Sequence, residues 1–166
     1  IIQMDTKELT RQAEVDRRIL IEVVYNAKAG HIGGDLSCLN VMTALYFKYL
    51  NVDPKDPKNP DRDRFVLSKG HCVEALYTTL EAKGFLKKEI TDTLGKYGSI
   101  LSGHPTIEVP GIEVNTGALG HGLSIGVGMA LAAKMDKKGY KTFVMMGDGE
   151  QGEGSIYEAA MAGHQY

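Results

Sequence analysis

The segment Thr142-Phe143-Val144-Met145-Met146-Gly147-Asp148-Gly149-Glu150 decides the fold, because it joins an apolar run to one acidic residue held between two glycines. The apolar run begins with a β-branched and an aromatic residue, which is typical of a buried strand in a parallel sheet. Gly147 and Gly149 favour a sharp turn and let backbone amides approach a ligand closely. Ser155 and Glu158 then form a capping-box pattern, which predicts a helix over residues 156–162.

This order of strand, glycine loop and helix predicts a phosphate site. Ligands of open parallel sheets bind outside the carboxyl ends of the strands, where the start of a helix offers free N–H groups and partial positive charge. A single carboxylate beside phosphates suits Mg²⁺, which prefers one or two carboxylates together with phosphate oxygens. Asp148 is therefore the candidate metal ligand. The alternative is an Asp that only caps a turn at the strand end, and the short motif does not separate the two.

The composition is that of an ordinary globular domain. The 166 residues are 43% apolar and 24% charged, and the length predicts one domain with a sizeable core. A net charge of −2 gives no reason to expect a nucleic-acid or anionic-membrane partner. We expect a cytoplasmic protein, since residues 1–10 show no signal peptide and no apolar run has the length of a membrane span. Cys38 and Cys72 are not a CxxC pair, and we expect reduced thiols.

All five histidines follow a glycine, although glycine occupies only 20 of the 166 positions. The pattern suggests imidazoles displayed on glycine loops at the ends of strands and helices, where functional side chains tend to lie. The five are His31, His71, His104, His121 and His164.

Hydrophobic spacing and breaks at glycine and proline predict the other elements. Asp5 and Glu8 mark the start of a long amphipathic helix that ends before Gly30. Further helices are predicted over residues 39–50, with Ser37 as the cap, and over residues 73–83, 87–96 and about 122–138. Strands are predicted over residues 64–68 and 112–115, and Tyr77 is expected in the core.

Five motifs occur in the order and spacing of a transketolase, and together they cover nearly the whole chain. They are residues 27–34 around His31, residues 63–71 ending in Ser68-Lys69-Gly70-His71, Gly103-His104-Pro105, residues 116–122, and residues 147–154. The chain resembles the amino-terminal, diphosphate-binding domain of that thiamine-dependent enzyme, and more closely a transketolase split into two subunits. Each motif alone is weak evidence, but five in sequence are specific.

The resemblance implies roles for the residues at matching positions. Asp148 corresponds to a metal-binding Asp, and the backbone around Gly149 and Glu150 to the part that receives the diphosphate. Gly117 and Leu119 correspond to a loop along the cofactor. Glu153 matches an acid that communicates with a second cofactor site across the dimer. The histidines that line the substrate channel, contact the sugar and the reacting centre and assist proton transfer are His31, His71 and His104.

The same resemblance implies the protein's architecture and partners. We expect one α/β diphosphate-binding domain over residues 1–166, with a mostly parallel sheet, helices on both faces and an incomplete C-terminal end. The cofactors would be thiamine diphosphate and Mg²⁺ or Ca²⁺. The partner would be a C-terminal transketolase subunit that carries the pyrimidine domain, assembled as a homodimer or heterotetramer. The reaction would move a two-carbon ketol unit between sugar phosphates, as in the pentose phosphate pathway.

Some positions depart from the family pattern. Ile32 stands where a Pro usually follows the first His, and His121 stands where Gln is common. The sequence ends at Tyr166, before the Asn that supplies a second metal ligand in the family. We therefore expect the chain as given to be inactive by itself.

Two other classes of protein stay open on the residues alone. The glycines at 120, 122 and 126 open a helix, with Asp148 after the next strand, and this also predicts a nucleotide-binding, Rossmann-like domain. That interpretation gives His31, His71 and His104 no role. A scaffold protein that keeps the fold without the activity is the second alternative. A zinc hydrolase is disfavoured because no two histidines are spaced four residues apart on a helix.

Overall fold

Two parallel strands lie at the centre of the fold, β1 (Arg64–Leu67) and β2 (Thr142–Met145). The structure, a computed structural model, describes residues 4–166. The register pairs Phe65 with Phe143 and Leu67 with Met145, so both strands end at the same edge of the sheet. The strands predicted over residues 64–68 and 142–146 are confirmed, and each is shorter than predicted by one residue at its C-terminal end.

Six α-helices surround the strands in the described residues. They are α1 (Thr6–Ala27), α2 (Ile32–Ala44), α3 (Val73–Lys83), α4 (Lys88–Thr91), α5 (Gly122–Met135) and α6 (Gly154–Gln165). A π-helical turn, Leu45–Tyr49, extends α2, and short 3₁₀ turns occur at Gly70–Cys72 and Gly149–Gly152. None of the helices in residues 4–166 combines the length and the hydropathy that a membrane crossing needs.

The side chains of the strands alternate between two helical layers, as expected from the two-residue period of a strand. Phe65 and Leu67 belong to the main apolar cluster, which α1, α2 and α3 build with them. On the opposite face Val144 packs so closely on α5 that a Cβ on Gly126 would overlap its Cγ2. The predicted arrangement with helices on both faces of a parallel sheet is therefore confirmed.

The start of α1 is set by reciprocal capping. The amide of Glu8 donates to Asp5 Oδ1 at 2.9 Å, and the amide of Asp5 donates to Glu8 Oε2 at 2.8 Å. The two residues satisfy backbone donors that no earlier turn can satisfy. The helix start predicted at this pair is confirmed.

The second helix begins earlier than predicted. It starts at Ile32, whereas the sequence predicts residue 39, because the glycines at 33 and 34 favour a loop. Gly34 is helical since it packs on the 3₁₀ turn before α3, where a Cβ would lie 2.6 Å from Cys72 Sγ. Ser37 is therefore not a cap, and its hydroxyl donates to the carbonyl oxygen of Gly34 inside the helix.

Two further predicted elements are wrong, whereas the helix predicted over residues 156–162 is confirmed within α6 and only its start and its cap differ. The helix predicted over residues 87–96 is only α4, after which the chain makes turns and reaches Gly95 at a φ of 76°. Residues 112–115 form no strand, because the chain turns at Gly111 with a φ of 91°. The helix predicted to begin at residue 156 starts at Gly154, and Ser155 caps nothing, since its hydroxyl donates to the carbonyl oxygen of Gly120.

Candidate active site at the carboxyl edge of the sheet

The carboxyl ends of β1 and β2 bring two of the sequence motifs together. Ser68 follows β1, and its amide donates to the carbonyl oxygen of Met145, the last residue of β2, at 2.9 Å. Because the strands are parallel and in register, the segments 68–71 and 147–150 leave the sheet at the same edge. This is the edge where the sequence predicts a ligand.

Glu150 holds this edge together through a buried carboxylate that is 2% exposed. Its Oε1 accepts hydrogen bonds from the Ser68 hydroxyl and from the amide of Gly120, the latter at 2.8 Å. Its Oε2 accepts from the amide of Gly147 at 2.9 Å. The amide of Gly122, the first residue of α5, donates to Ser68 Oγ at 3.1 Å. One carboxylate thus ties the end of β1, the loop before α5 and the end of β2.

Asp148 lies two residues away and is exposed. Its carboxylate accepts no hydrogen bond from residues 4–166, and within the same range the amides of Gly149 and Glu150 have no acceptor. A Cβ on Gly149 would meet nothing within 4 Å, so the space beside that amide is open. No group of three His, Cys, Asp or Glu side chains in the described part of the chain could hold a metal by itself. A metal at Asp148 would therefore need phosphate or water oxygens as further ligands.

Three of the predicted histidines gather beside this edge. His31 precedes α2 and His71 lies in the 3₁₀ turn after β1, and their rings meet edge to face with centroids 5.3 Å apart. The ring of His104 covers Gly117, where a Cβ would lie 3.3 Å from His104 Cδ2. A Cβ on Gly70 would lie 3.1 Å from the Gly117 amide nitrogen, so the turn of His71 and the loop under His104 are in contact.

The environment of His71 favours the neutral imidazole. Burial lowers the pKa of His71 below its ordinary 6.5, and the positive charges of His31, Lys69 and His104 lower the pKa further, whereas Glu150 raises it. A histidine that is neutral at physiological pH can accept a proton from a hydroxyl group.

Tyr77 supports the loop of His104 from the core. Its ring is fully buried on α3, as predicted, and its hydroxyl donates to the carbonyl oxygen of Ser102 at 3.0 Å. The same hydroxyl accepts from the Ser102 amide at 3.2 Å. The only polar atom of this core side chain is thus used to place the residues just before His104.

Comparison with known proteins decides the family. The model of the family described as "Transketolase, thiamine diphosphate binding domain" matches residues 9–166. The chain belongs to this transketolase family. A relative from Phocaeicola vulgatus, named as one of the subunits of an apulose-4-phosphate transketolase, is 76% identical over 165 residues, which are 99% of this chain and 58% of that protein.

Two more transketolases show how far the similarity extends. A 6-deoxy-6-sulfo-D-fructose transketolase subunit from Clostridium sp. is 45% identical over 93% of this chain and 56% of its own length. The solved transketolase from Campylobacter jejuni superposes with a TM-score of 0.88 at 34% identity, over 94% of this chain and 26% of that one. The expected fold is confirmed, and the chain spans a little over half the length of the two curated relatives.

The other predicted residues of this transketolase chain lie on the neighbouring loops. Leu119 is 39% exposed on the loop before α5. Glu153 is exposed immediately before α6, and a Cβ on Gly120 would lie 2.8 Å from its Cβ. The roles of Leu119, Gly117 and Glu153 toward a cofactor stay predictions.

The sequence did not assign a role to several residues that support the candidate site. Ser68 and Lys69 belong to one of the five motifs, and that motif was used only to recognise the family. Lys69 is buried, and its Nζ donates to the carbonyl oxygen of Gly34 at 3.2 Å and to Ser37 Oγ at 2.9 Å. It thereby joins the end of β1 to α2. The position of a lysine directly after a predicted buried strand was the one sequence feature that could have indicated this contact with α2.

Proposed function

We propose that this chain is the diphosphate-binding subunit of a split transketolase that uses thiamine diphosphate and Mg²⁺ or Ca²⁺. The observation that carries the proposal lies at an edge shared with three histidines. The exposed carboxylate of Asp148 stands there beside two backbone amides, and none of these groups has a hydrogen-bond partner within residues 4–166. The family model, which covers residues 9–166, supports the same function.

The residues at this edge fit a metal-bound diphosphate. The free amides of Gly149 and Glu150 would donate to diphosphate oxygens, and Asp148 would supply one carboxylate oxygen to the metal. The open space at Gly149 leaves room for that approach. Thiamine diphosphate, when bound, supplies the carbanion chemistry, so the protein's tasks are to hold it, to orient it and to move protons.

The histidines suit the proton transfers of a ketol exchange. His71 has a lowered pKa and can accept a proton from a sugar hydroxyl, while His31 and His104 flank it as further donors or acceptors. The lowered pKa comes first from burial, which also excludes some of the water that would compete for the same protons.

We infer that the substrate is a sugar with a phosphate or a sulfo group, of the kind for which two relatives are named. The relative that is 76% identical is named for apulose 4-phosphate, and the one that is 45% identical is named for 6-deoxy-6-sulfo-D-fructose. The higher identity favours apulose 4-phosphate as the ketose donor. Both names describe one subunit of a larger enzyme. The proposed partner is therefore a second subunit with the pyrimidine domain, in an assembly with at least two such pairs.

The two alternatives are weaker on the same observations. A Rossmann-like nucleotide site needs the glycines that open α5 to face a ligand, but Gly122 packs on Ser68, whose side chain a Cβ on Gly122 would overlap. An inactive scaffold does not need an unpartnered carboxylate and free amides at the sheet edge.

The experiment is calorimetry of thiamine diphosphate binding to the full-length protein with its partner subunit, with and without Mg²⁺. Asp148→Asn should weaken Mg²⁺-dependent binding about tenfold or more, because a charged ligand contributes about 1.5–3 kcal/mol. Asp136→Asn is the matched control, since Asp136 is an exposed aspartate at the end of α5. Equal affinity of D148N and D136N would refute the assignment, and binding of NAD alone would favour the nucleotide alternative.

A further inference from the structure

Two buried carboxyl groups meet behind the histidines. Asp35 lies in the first turn of α2, four residues after His31, and Glu74 lies in the first turn of α3, three residues after His71. Asp35 is 0% exposed and Glu74 is 2% exposed. The two carboxyl groups lie near enough to interact, since the charge of Glu74 raises the pKa of Asp35. The helices that follow the two touching histidines are therefore joined at their N-terminal ends by a pair of acids.

Two carboxyl oxygens of this pair lack a hydrogen-bond partner unless the pair holds a proton. Asp35 Oδ1 accepts from the amide of Ala75 at 3.1 Å. Asp35 Oδ2 and Glu74 Oε2 have no donor among residues 4–166, and neither side chain takes part in an ion pair there. Two buried carboxylates cannot both stay ionised in contact without a cation, so one proton between them satisfies both oxygens.

The backbone before His31 rests directly on this pair. Gly30 has a φ of 124°, in the region that favours glycine, and a Cβ there would lie 3.2 Å from Glu74 Cδ. The backbone of His31 lies near both carboxyl groups and lowers the pKa of each. The position of the His31 backbone thus depends on where the two carboxyl groups lie.

We propose that Asp35 and Glu74 share a single proton, and that the resulting hydrogen bond ties the first turns of α2 and α3 together and sets the spacing between His31 and His71. The two acids are positioning residues, because they act through the backbone that carries the histidines. The sharing of the proton does not depend on the proposed function, whereas its effect on turnover rests on that function.

The titration of the pair follows from its surroundings. Burial and then the charge of Glu74 raise the pKa of Asp35 from 3.8 to about 7, and burial raises the pKa of Glu74. The other titratable groups that face the pair are His31 before α2, Cys38 on α2, Cys72 before α3 and Tyr77 on α3, while α1 presents the apolar Val24 beside Gly30.

The sign of the pH dependence is fixed by the raised pKa. Below pH 3.8 Asp35 is protonated in both the folded and the unfolded chain. Between pH 3.8 and about 7 the unfolded chain releases this proton and the folded chain keeps it, so the free energy of unfolding falls as the pH rises through this window. Above the folded pKa both states are ionised and the contribution is constant. The raised pKa of Glu74 likewise makes the free energy of unfolding fall as the pH rises.

The test is infrared spectroscopy at about pH 6, where exposed carboxyl groups are ionised, on the full-length protein with its partner subunit. The wild type should show the carbonyl stretch of a protonated carboxylic acid, and this band should be weaker in Asp35→Asn by the one proton that the pair holds. Asp35→Asn keeps an N–H donor toward Glu74 and an acceptor for Ala75, so it should fold. The matched control is Asp16→Asn, a buried acid on α1 that accepts from Thr43 and Gln12. Burial raises the pKa of Asp16 as well, so the band of the pair is taken from the difference between wild type and D35N, and it should persist in D16N.

Two further readouts separate positioning from general stability. The urea midpoint of the wild type should fall between pH 3.8 and 7, and this fall should be smaller in D35N. Glu74→Ala should shift the NMR resonances of the His31 amide and ring, whereas D16N should not. The proposal is overturned by a wild type without the band, by a band that is as strong in D35N as in the wild type, by an unfolded D35N, or by unmoved His31 resonances in E74A. Loss of ketol transfer activity is measured separately and tests the proposed function.

Discussion

Replacing Glu150 with Ala should destabilise the protein more than any change to its exposed neighbours. The carboxylate accepts three hydrogen bonds, from the Ser68 hydroxyl and from the amides of Gly120 and Gly147, at a position that is 2% exposed. Alanine would leave these donors without an acceptor. Each buried unsatisfied donor costs about 1–3 kcal/mol, so the loss is about 3–6 kcal/mol after partial relaxation and penetration of water.

The assay is equilibrium denaturation of the full-length protein in urea, with Gln151→Ala as the matched control. Gln151 follows Glu150 in the same turn and is exposed, so Q151A should change the free energy of unfolding by less than about 0.5 kcal/mol. Glu150→Gln keeps one oxygen as an acceptor, but it replaces the other oxygen with an NH₂ group that faces one of the same N–H or O–H donors. Its loss should lie between those of Q151A and E150A, at about 1.5–3 kcal/mol.

The reasoning is refuted if E150A unfolds within about 0.5 kcal/mol of Q151A. That result would mean that water satisfies the three donors when the carboxylate is absent, and that Glu150 does not hold the strand ends. A large loss in E150A together with an equal loss in E150Q would show that the charge, and not the number of acceptors, is what matters.

The remaining predictions concern packing and proton affinity. Gly126→Ala should cost about 1–3 kcal/mol of stability, because its Cβ would overlap Val144 Cγ2, whereas Gly128→Ala, which meets open space on the same helix, should stabilise by up to about 1 kcal/mol. His31→Gln should raise the pKa of His71 toward 6.5 in an NMR titration, since it removes a neighbouring positive charge. Because the pKa of His71 is lower in the folded than in the unfolded chain, its contribution to stability is present above pH 6.5 and is lost as the pH falls through the folded pKa. H31Q should narrow the pH range between these two pKa values.

Each of these has a result that would contradict it. A G126A variant as stable as G128A would mean that α5 can move away from β2 at little cost. A pKa of His71 that does not respond to H31Q would mean that burial alone sets it. His164→Gln is the control for the second measurement, because His164 is exposed on α6, away from the histidine cluster.

The fold was predicted well from the sequence where the spacing of glycines indicates that a helix packs closely on the sheet. The glycines at 122 and 126 were expected to open a helix, and both are buried in α5, against Ser68 after β1 and against Val144 of β2. Glycine was misleading at residues 33 and 34, where the sequence predicts a loop. There the lack of a side chain serves the packing of α2 on Cys72, and tertiary contact overrides the low helix propensity of glycine.

The roles of two serine hydroxyl groups were predicted wrongly for a related reason. Ser37 and Ser155 fit the pattern of helix caps, but their hydroxyls donate to the carbonyl oxygens of Gly34 and Gly120. A cap and a side-chain to carbonyl bond use the same residue types, and only the path of the backbone decides between them. Asp5 was placed correctly because its partner Glu8 makes the pattern reciprocal.

Asp148 and Glu150 show the limit of such predictions at the site itself. The two acids stand in one glycine loop, two residues apart, yet one is exposed and the other is buried. The loop enters a 3₁₀ turn with about three residues per turn, so side chains two positions apart point in different directions around its axis. Nothing in the local sequence indicates which acid faces the interior. The two positions are also coupled, because Asp148 can hold a cation at a defined place only if its loop is fixed, and Glu150 is what fixes that loop. E150Q should therefore weaken Mg²⁺-dependent binding of thiamine diphosphate although the proposed metal ligand, Asp148, is unchanged. Unchanged affinity would show that the loop is held by other contacts.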